Sequence, residues 1–478
     1  MTDAADPILT VSNRHFRDPS DFRPYIAPLS CQQKNFWGLC QTNVGMRLNI
    51  SIVLRLLGRL NEEILRSSFE LVIGRHEALR TRIRIVDGVP RQLIDPPGHY
   101  HLETQSIPCP PLEADRLQPI VDEFLRMPFD LVEGKLFKAR LIRLSSGDSI
   151  LLANIHHIIM DGFSVGILFG ELWRYYGAMS RQTLPDIPEP RAQYSDYAIW
   201  QEDTRSAWLE EHAQYWKERL YNAKPLQFPV DHRLVSDVAL RGKGEVSLLP
   251  FRFDESLTAG IYSAARREGT MPALIVLASY VVLLWRWCNQ SEFLVIMYIA
   301  GRDIPEYVDT IGFFVDILPL RMEITGGETF KDLLAEVIRE VCMACEHRSH
   351  SRLLTEATLG CVESTISTGF NWTPGSYDVL AGCPDPGIAE QLEGEIRVER
   401  FPCMIPQEFP ELDESSRFAA GIIWMYPGTV ITGSLGYNTS VFSNVGAEAL
   451  IDNLKIVVGR LTSDSKLSIS MALSELGS

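Results

Sequence analysis

Residues 151–176 constrain this chain more than any other stretch: an apolar strand runs through a tight turn directly into an amphipathic helix. Leu151, Leu152 and Ile155 read as a buried strand. Phe163 to Tyr176 reads as a helix with Val165, Leu168, Leu172 and Tyr175 on one face. The turn lies within Asn154-Ile155-His156-His157-Ile158-Ile159-Met160-Asp161-Gly162. A strand–turn–helix junction offers free backbone N–H groups where negative charge can develop. Neighbouring side chains on extended backbone point to opposite faces, so only one of His156 and His157 can face a given cavity. The four-residue offset from His157 to Asp161 lets the carboxylate fix the turn while the imidazole stays free. Two adjacent histidines alone are usually structural, and Asp-Gly is an ordinary turn signal. The chemistry of the string therefore rests on what accompanies it.

The string fits H-H-x-x-x-D-G, and further boxes flank it in order. Leu29-Ser30-Cys31-Gln32-Gln33-Lys34-Asn35-Phe36-Trp37 resembles S-x-A-Q-x-R-L-W, with Gln32 and Asn35 departing. Arg75-His76-Glu77-Ala78-Leu79-Arg80-Thr81 matches R-H-E-x-L-R-T throughout. Tyr194-Ser195-Asp196-Tyr197-Ala198-Ile199-Trp200 resembles Y-x-D-F-A-x-W. Gly301-Arg302, then Ile311-Gly312-Phe313-Phe314-Val315-Asp316 and Arg321, resembles G-R, I-G-x-F-V-N and a later arginine. Tyr437-Asn438-Thr439 and Phe442 resemble a closing strand. From about residue 25 onward, the chain resembles the condensation-domain family of nonribosomal peptide synthetases, in the chloramphenicol acetyltransferase-like superfamily.

The resemblance implies a mixed α/β fold: two chloramphenicol acetyltransferase-like lobes forming a V-shaped pseudodimer around a central cleft or tunnel. Residues 1–24 would be a lead-in or docking segment and 25–183 the first lobe. A proline-rich linker would cover 184–193, with the second lobe at 194–478. The family's roles place His157 toward the cleft, taking or positioning the proton of a nucleophile, a task suited to its near-neutral pKa. His156 would orient the turn, and the Gly162 N–H would donate to a tetrahedral oxyanion. Asp161 would turn away from substrate and pair with Arg302. Ser30, Gln33, Trp37, Gly312, Phe314 and Asp316 are expected along the tunnel.

The resemblance also implies an acyl, peptidyl or polyketidyl thioester presented on the phosphopantetheine of a carrier protein, with a small-molecule or carrier-bound amine or hydroxyl as acceptor. No bound cofactor and no metal is expected. Intact histidines set the chain apart from heterocyclising relatives, and Phe163-Ser164-Val165 differs from the Ser-Trp of epimerising ones. Asp316 stands where asparagine is usual, and Glu346-His347-Arg348-Ser349-His350 matches H-Q-D-x-P-F only loosely, which leaves the acceptor open. Three roles stand side by side: amide- or ester-forming condensation, carrier- or coenzyme A-dependent O-acylation, and non-catalytic recruitment.

Composition fits a large folded protein: 478 residues, 46% hydrophobic and 22% charged. A net charge of -16 offers no basic stripe for nucleic acid or an anionic membrane. An acidic carrier protein would need a local basic patch. Nine cysteines, scattered from Cys31 to Cys403, fit free thiols in a reducing cytoplasm. Cys342-Met343-Ala344-Cys345, inside a helical run, reads as packing. Residues 1–21 carry no apolar signal core, and Ala273 to Trp285 is too short to span a bilayer. No adenylation signature or L-G-G-x-S carrier site is present, so a free-standing monomer acting in trans is expected. Leu136–Leu144 and Ser149–Ile155 read as a hairpin. Asn61 and Thr270 read as helix caps, and Ser195–Leu220 as a long helix whose Trp200, Trp208 and Trp216 are packing residues.

Overall fold

Apolar runs become strands where their periodicity places them. The computed structural model describes residues 24–41, 49–107, 114–145, 147–224, 226–229, 246–348, 368–373, 396–400, 420–439 and 442–473. The first half opens with β1 (Tyr25–Pro28), α1 (Cys31–Gln41), β2 (Asn49–Gly58) and α2 (Glu62–Arg75). Asn61 caps α2, its side chain accepting from the N–H groups of Glu63 and Ile64, and Leu65, Phe69 and Val72 form the buried face. Then come β3 (Thr81–Val86), β4 (Val89–Ile94), β5 (Glu103–Ser106) and α3 (Ala114–Leu125). The expected hairpin is β6 (Phe137–Ser145) with β7 (Asp148–His156), paired antiparallel. α4 (Gly162–Ser180) and α5 (Tyr194–Leu220) complete this half.

The second half contains β8 (Val246–Arg252), α6 (Glu255–Glu268), α7 (Pro272–Cys288), β9 (Glu292–Ile299), β10 (Asp316–Glu323) and α8 (Phe330–Glu346). It continues through β11 (Gly369–Trp372), β12 (Ile396–Arg400), β13 (Ala420–Tyr426), β14 (Thr432–Asn438), α9 (Asn444–Ser463) and α10 (Ile469–Ala472). The N-cap of α7 is Met271, not Thr270. The Thr270 N–H instead closes the end of α6 on the Ala265 carbonyl at 2.9 Å, because Gly269 adopts the left-handed conformation there.

Among the described residues the strands form three sheets, in the orders β1-β4-β3, β12-β2-β7-β6-β5 and β10-β9-β11-β13-β14-β8. β7 lies between β2 and β6 and is buried at every position, and its centre, Ile150-Leu151-Leu152-Ala153, is accordingly an unbroken apolar run rather than an alternating one. α7 fills the core of the six-stranded sheet. Among the described residues no single helix is long and apolar enough to cross a membrane. Cys342 is exposed and Cys345 half-buried, both free thiols.

The division at 184–193 needs correcting. β12, from the far end of the chain, pairs with β2 in the first sheet, Val398 opposite Leu56. That covers an edge β2 would otherwise leave open. Tyr307, Ile311, Phe313 and Phe314 also pack into the first core. α5 joins both cores, through Tyr194 and Tyr197 at one end and Trp208 and Trp216 at the other.

Candidate active site

β7 delivers the two histidines to the end of the sheet. His156 is its last residue, and His157–Ile159 form one 3-10 turn before Asp161 caps α4. The turn is held from inside. The His156 Nδ1 accepts from the Ile158 N–H at 3.2 Å. The Gln33 amide donates to the Ile158 carbonyl at 3.0 Å. Ile158, Ile159 and Met160 are wholly buried and wedge the turn into the first core.

Asp161 is the knot of the loop. Its Oδ1 accepts from the Ser164 N–H at 2.8 Å, which satisfies a free donor of the first helical turn. Arg302 Nη2 lies 3.0 Å from Oδ1 and 3.3 Å from Oδ2, and the Phe314 N–H donates to Oδ2 at 3.0 Å. The pair is out of water: the Arg302 side chain is 3% exposed and Asp161 0%. Ser164 completes the cluster. Its hydroxyl accepts from Arg302 Nη2 at 2.7 Å and from the Gly312 N–H at 3.0 Å. Its proton is available to Asp161 Oδ1 at 2.8 Å or the Gly312 carbonyl at 3.0 Å. Arg302 Nη1 donates to the carbonyls of Tyr307 and Thr310, at 2.9 and 2.7 Å. The guanidinium lies between the rings of Phe163 and Phe314.

Two glycines are required by this approach of chain to chain. Gly301 has φ +62, and a Cβ there would lie 2.2 Å from the Phe314 carbonyl oxygen. At Gly312 a Cβ would fall 2.1 Å from the Tyr194 ring.

The histidines differ sharply. His156 is 4% exposed, and burial, then the neighbouring His157, push its pKa down to about 3. His157 is only half-buried. Its Nδ1 is buried with no hydrogen-bond partner, so the nitrogen that reaches solvent is Nε2. Burial lowers its pKa, opposed by the carbonyls of His157 itself and Met160 and by the charge of Asp161. A neutral imidazole with one open nitrogen can accept a proton. Gly162, also half-buried, is the first residue of α4, where the N–H lies outside the helix's own hydrogen-bond ladder.

The expected tunnel residues divide. Ser30, Gln33 and Phe314 are each 0% exposed, so they have no surface with which to line a passage. They are scaffold instead. The Ser30 hydroxyl meets the Tyr194 hydroxyl at 2.7 Å, and Tyr194 donates to the Phe313 carbonyl at 2.7 Å. Gln33 bonds the motif turn, and Phe314 packs on Tyr194, Tyr197 and Arg302. Gly312 is buried, its carbonyl accepting from the Asp161 N–H at 3.0 Å. Trp37 remains half-buried. Asp316 accepts from the Ile317 N–H and lines a small hollow with Tyr197, Trp200, Gly301, Asp303, Ile304 and Arg348.

Three neighbours escaped the sequence reading. Ser164 stands out in the sequence only as part of Phe163-Ser164-Val165, with nothing there to mark its bonds to Asp161 and Arg302. Phe36 and Phe313 flank His157 at 6.0 and 5.0 Å between ring centroids. Phe36 stands where its box has leucine, and Phe313 fills the unspecified position of I-G-x-F-V-N.

Residues 25–352 match the family model described as Condensation domain. The chain belongs to the condensation-domain family. It is 33% identical over 326 residues to chondramide synthase cmdD of Chondromyces crocatus, covering 67% of this chain and 8% of that one. It is 30% identical over 448 residues to a linear gramicidin synthase of Brevibacillus parabrevis, covering 93% of this chain and again 8% of the relative. The chain thus spans a small part of the length of each. The fold is similar to that of the X-domain from teicoplanin biosynthesis, with TM-score 0.76 at 20% identity, over 94% of this chain and 98% of that one. The family's role is a condensation or related step in peptide biosynthesis.

Proposed function

We propose that this condensation-domain protein transfers a carrier-bound acyl, peptidyl or polyketidyl thioester to an amine or hydroxyl acceptor, forming an amide or ester. The observation that carries the reading is the half-buried His157, its pKa lowered, on a turn locked by Asp161 and Arg302. His157 Nε2 takes the proton of the acceptor as that nucleophile attacks the thioester carbonyl. The negative charge gathers on the carbonyl oxygen, for which the Gly162 N–H at the helix N-terminus is the donor. Collapse of the tetrahedral intermediate breaks the C–S bond, and the departing phosphopantetheine thiolate recovers the proton from His157. His156 orients the turn and keeps out of the reaction.

The reacting atoms must come within about 3–3.5 Å, so the thioester arm of a carrier protein has to reach His157 from outside. An O-acyltransferase would use the same base, whereas pure recruitment gives no use for an imidazole held neutral with one nitrogen open. The test is intact-protein mass spectrometry of acyl-loaded carriers, with and without amine and alcohol acceptors. Wild-type protein should unload the carrier onto an acceptor. His157→Ala should lower the rate at least about 100-fold, the usual lower bound for general-base catalysis, with an unchanged circular dichroism spectrum. A His157→Ala protein that keeps a large share of wild-type turnover removes the general base from this scheme.

A further inference from the structure

His157 is held by rings rather than by a carboxylate. Phe36, on α1, lies 6.0 Å from it at an interplanar angle of 43°. Phe313, in the loop before β10, meets it edge-on at 5.0 Å and 68°. The two phenylalanines meet each other at 5.2 Å and 69°, so the three rings form a closed triangle. Both phenylalanines are buried, at 6% and 5% exposure. The His156 ring meets Phe36 edge-on at 5.8 Å. Asp161 does not hold the imidazole, since the hydrogen bonds of its carboxylate go to Ser164, Arg302 and Phe314.

We propose that Phe36 and Phe313 are positioning residues for acyl transfer, clamping the His157 imidazole so that Nε2 alone faces the substrate and excluding water from the rest of the ring. The proposal rests on the general-base reading above. The titratable groups acting on the imidazole are Asp161, which favours the protonated ring, and His156, itself neutral; α1 and the loop before β10 present the two phenyl rings to it. Exclusion of water outweighs Asp161, and the ring stays neutral below the ordinary histidine range. A general base works only while unprotonated, so transfer falls as the pH drops through its pKa. Removing one wall admits water, raises that pKa and brings the acid limb to higher pH.

Two readouts on the full chain test this. One is the pH profile of kcat and KM for acyl transfer from a loaded carrier. The other is the NMR titration of the histidine 13Cε1 resonances, with His157 assigned by its loss in His157→Gln. Phe313→Ala should move both the acid limb and the His157 titration upward by about half a pH unit or more, the expected direction when a desolvated histidine regains water. It should lower kcat about tenfold and leave KM for the carrier within about twofold, because what the substitution displaces is the base. Phe313→Leu, which keeps the apolar wall, should restore the profile. Phe36→Ala gives an independent reading should Phe313→Ala not fold. A His157 titration unmoved in the folded alanine variants overturns the clamp. Wild-type protein that titrates as expected yet transfers no acyl group overturns the reading of function instead.

Discussion

His156 and His157 are adjacent in the chain, yet one is sealed in and the other open. The alternation of extended backbone predicts that only one can face a cavity, and the structure keeps His156 inside. That burial has a consequence for stability. In the unfolded chain the imidazole titrates near about 6.5, but in the fold its pKa is pushed down to about 3. Between those values the unfolded chain binds a proton that the folded protein refuses. The contribution of His156 is therefore fully present above pH 6.5 and is lost as the pH falls toward 3. Going from pH 7 to 5, this one residue should remove about 2 kcal/mol of stability. Urea unfolding of wild type and His156→Gln at both pH values measures it. The glutamine variant should lose about 2 kcal/mol less over the interval. An identical loss in the two proteins would mean that His156 takes up its proton while folded.

The junction of β7 and α4 is an element built around one carboxylate. Asp161 caps the helix, holds Arg302 from the second half and accepts from the backbone at Phe314, so its loss opens three attachments together. Removing either partner of such a buried pair should lower stability by about 3–5 kcal/mol, since the other charge is left without compensation. Asp161→Ala and Arg302→Ala should each depress the melting temperature and acyl transfer, and the double variant should cost less than the sum. Strict additivity in thermal unfolding would show that the two side chains do not act on each other. The arginine partner was legible in the sequence only through the Gly301-Arg302 box, since nothing in spacing links positions 141 residues apart. Ser164, which joins carboxylate, guanidinium and the Gly312 backbone, was not legible at all: a serine in the first turn of a helix looks like any other. The boxes also misplace Ser30, Gln33 and Phe314 on a tunnel wall. A shared motif shows which residues gather near a site, but not whether each turns inward to hold the backbone or outward to meet a substrate.

Periodicity located the β6–β7 hairpin and α5 within one residue at each bound, because burial on one or both faces writes itself directly into a strand or helix. How the halves interlock left no such trace. Val398, paired with Leu56, reads as any strand residue until the two edges meet. This interlocking bears on stability. The first core takes Tyr194, Tyr197, Tyr307, Ile311, Phe313, Phe314, Ile396 and Val398 from beyond residue 183, and several of these are large and buried. Deleting a single large buried aromatic side chain typically costs about 3–5 kcal/mol, comparable to the whole stability of many domains. A fragment of residues 1–183 lacks all eight at once, leaves an edge of β2 unpaired, and exposes the apolar surface they cover. It should therefore fail to fold, showing no cooperative thermal transition and binding a hydrophobic dye. The intact chain should unfold with coincident near- and far-ultraviolet circular dichroism transitions, since α5 packs into both cores. A fragment that melts cooperatively with dispersed NMR amide signals would show that the borrowed residues are dispensable and that the two halves are separate folding units.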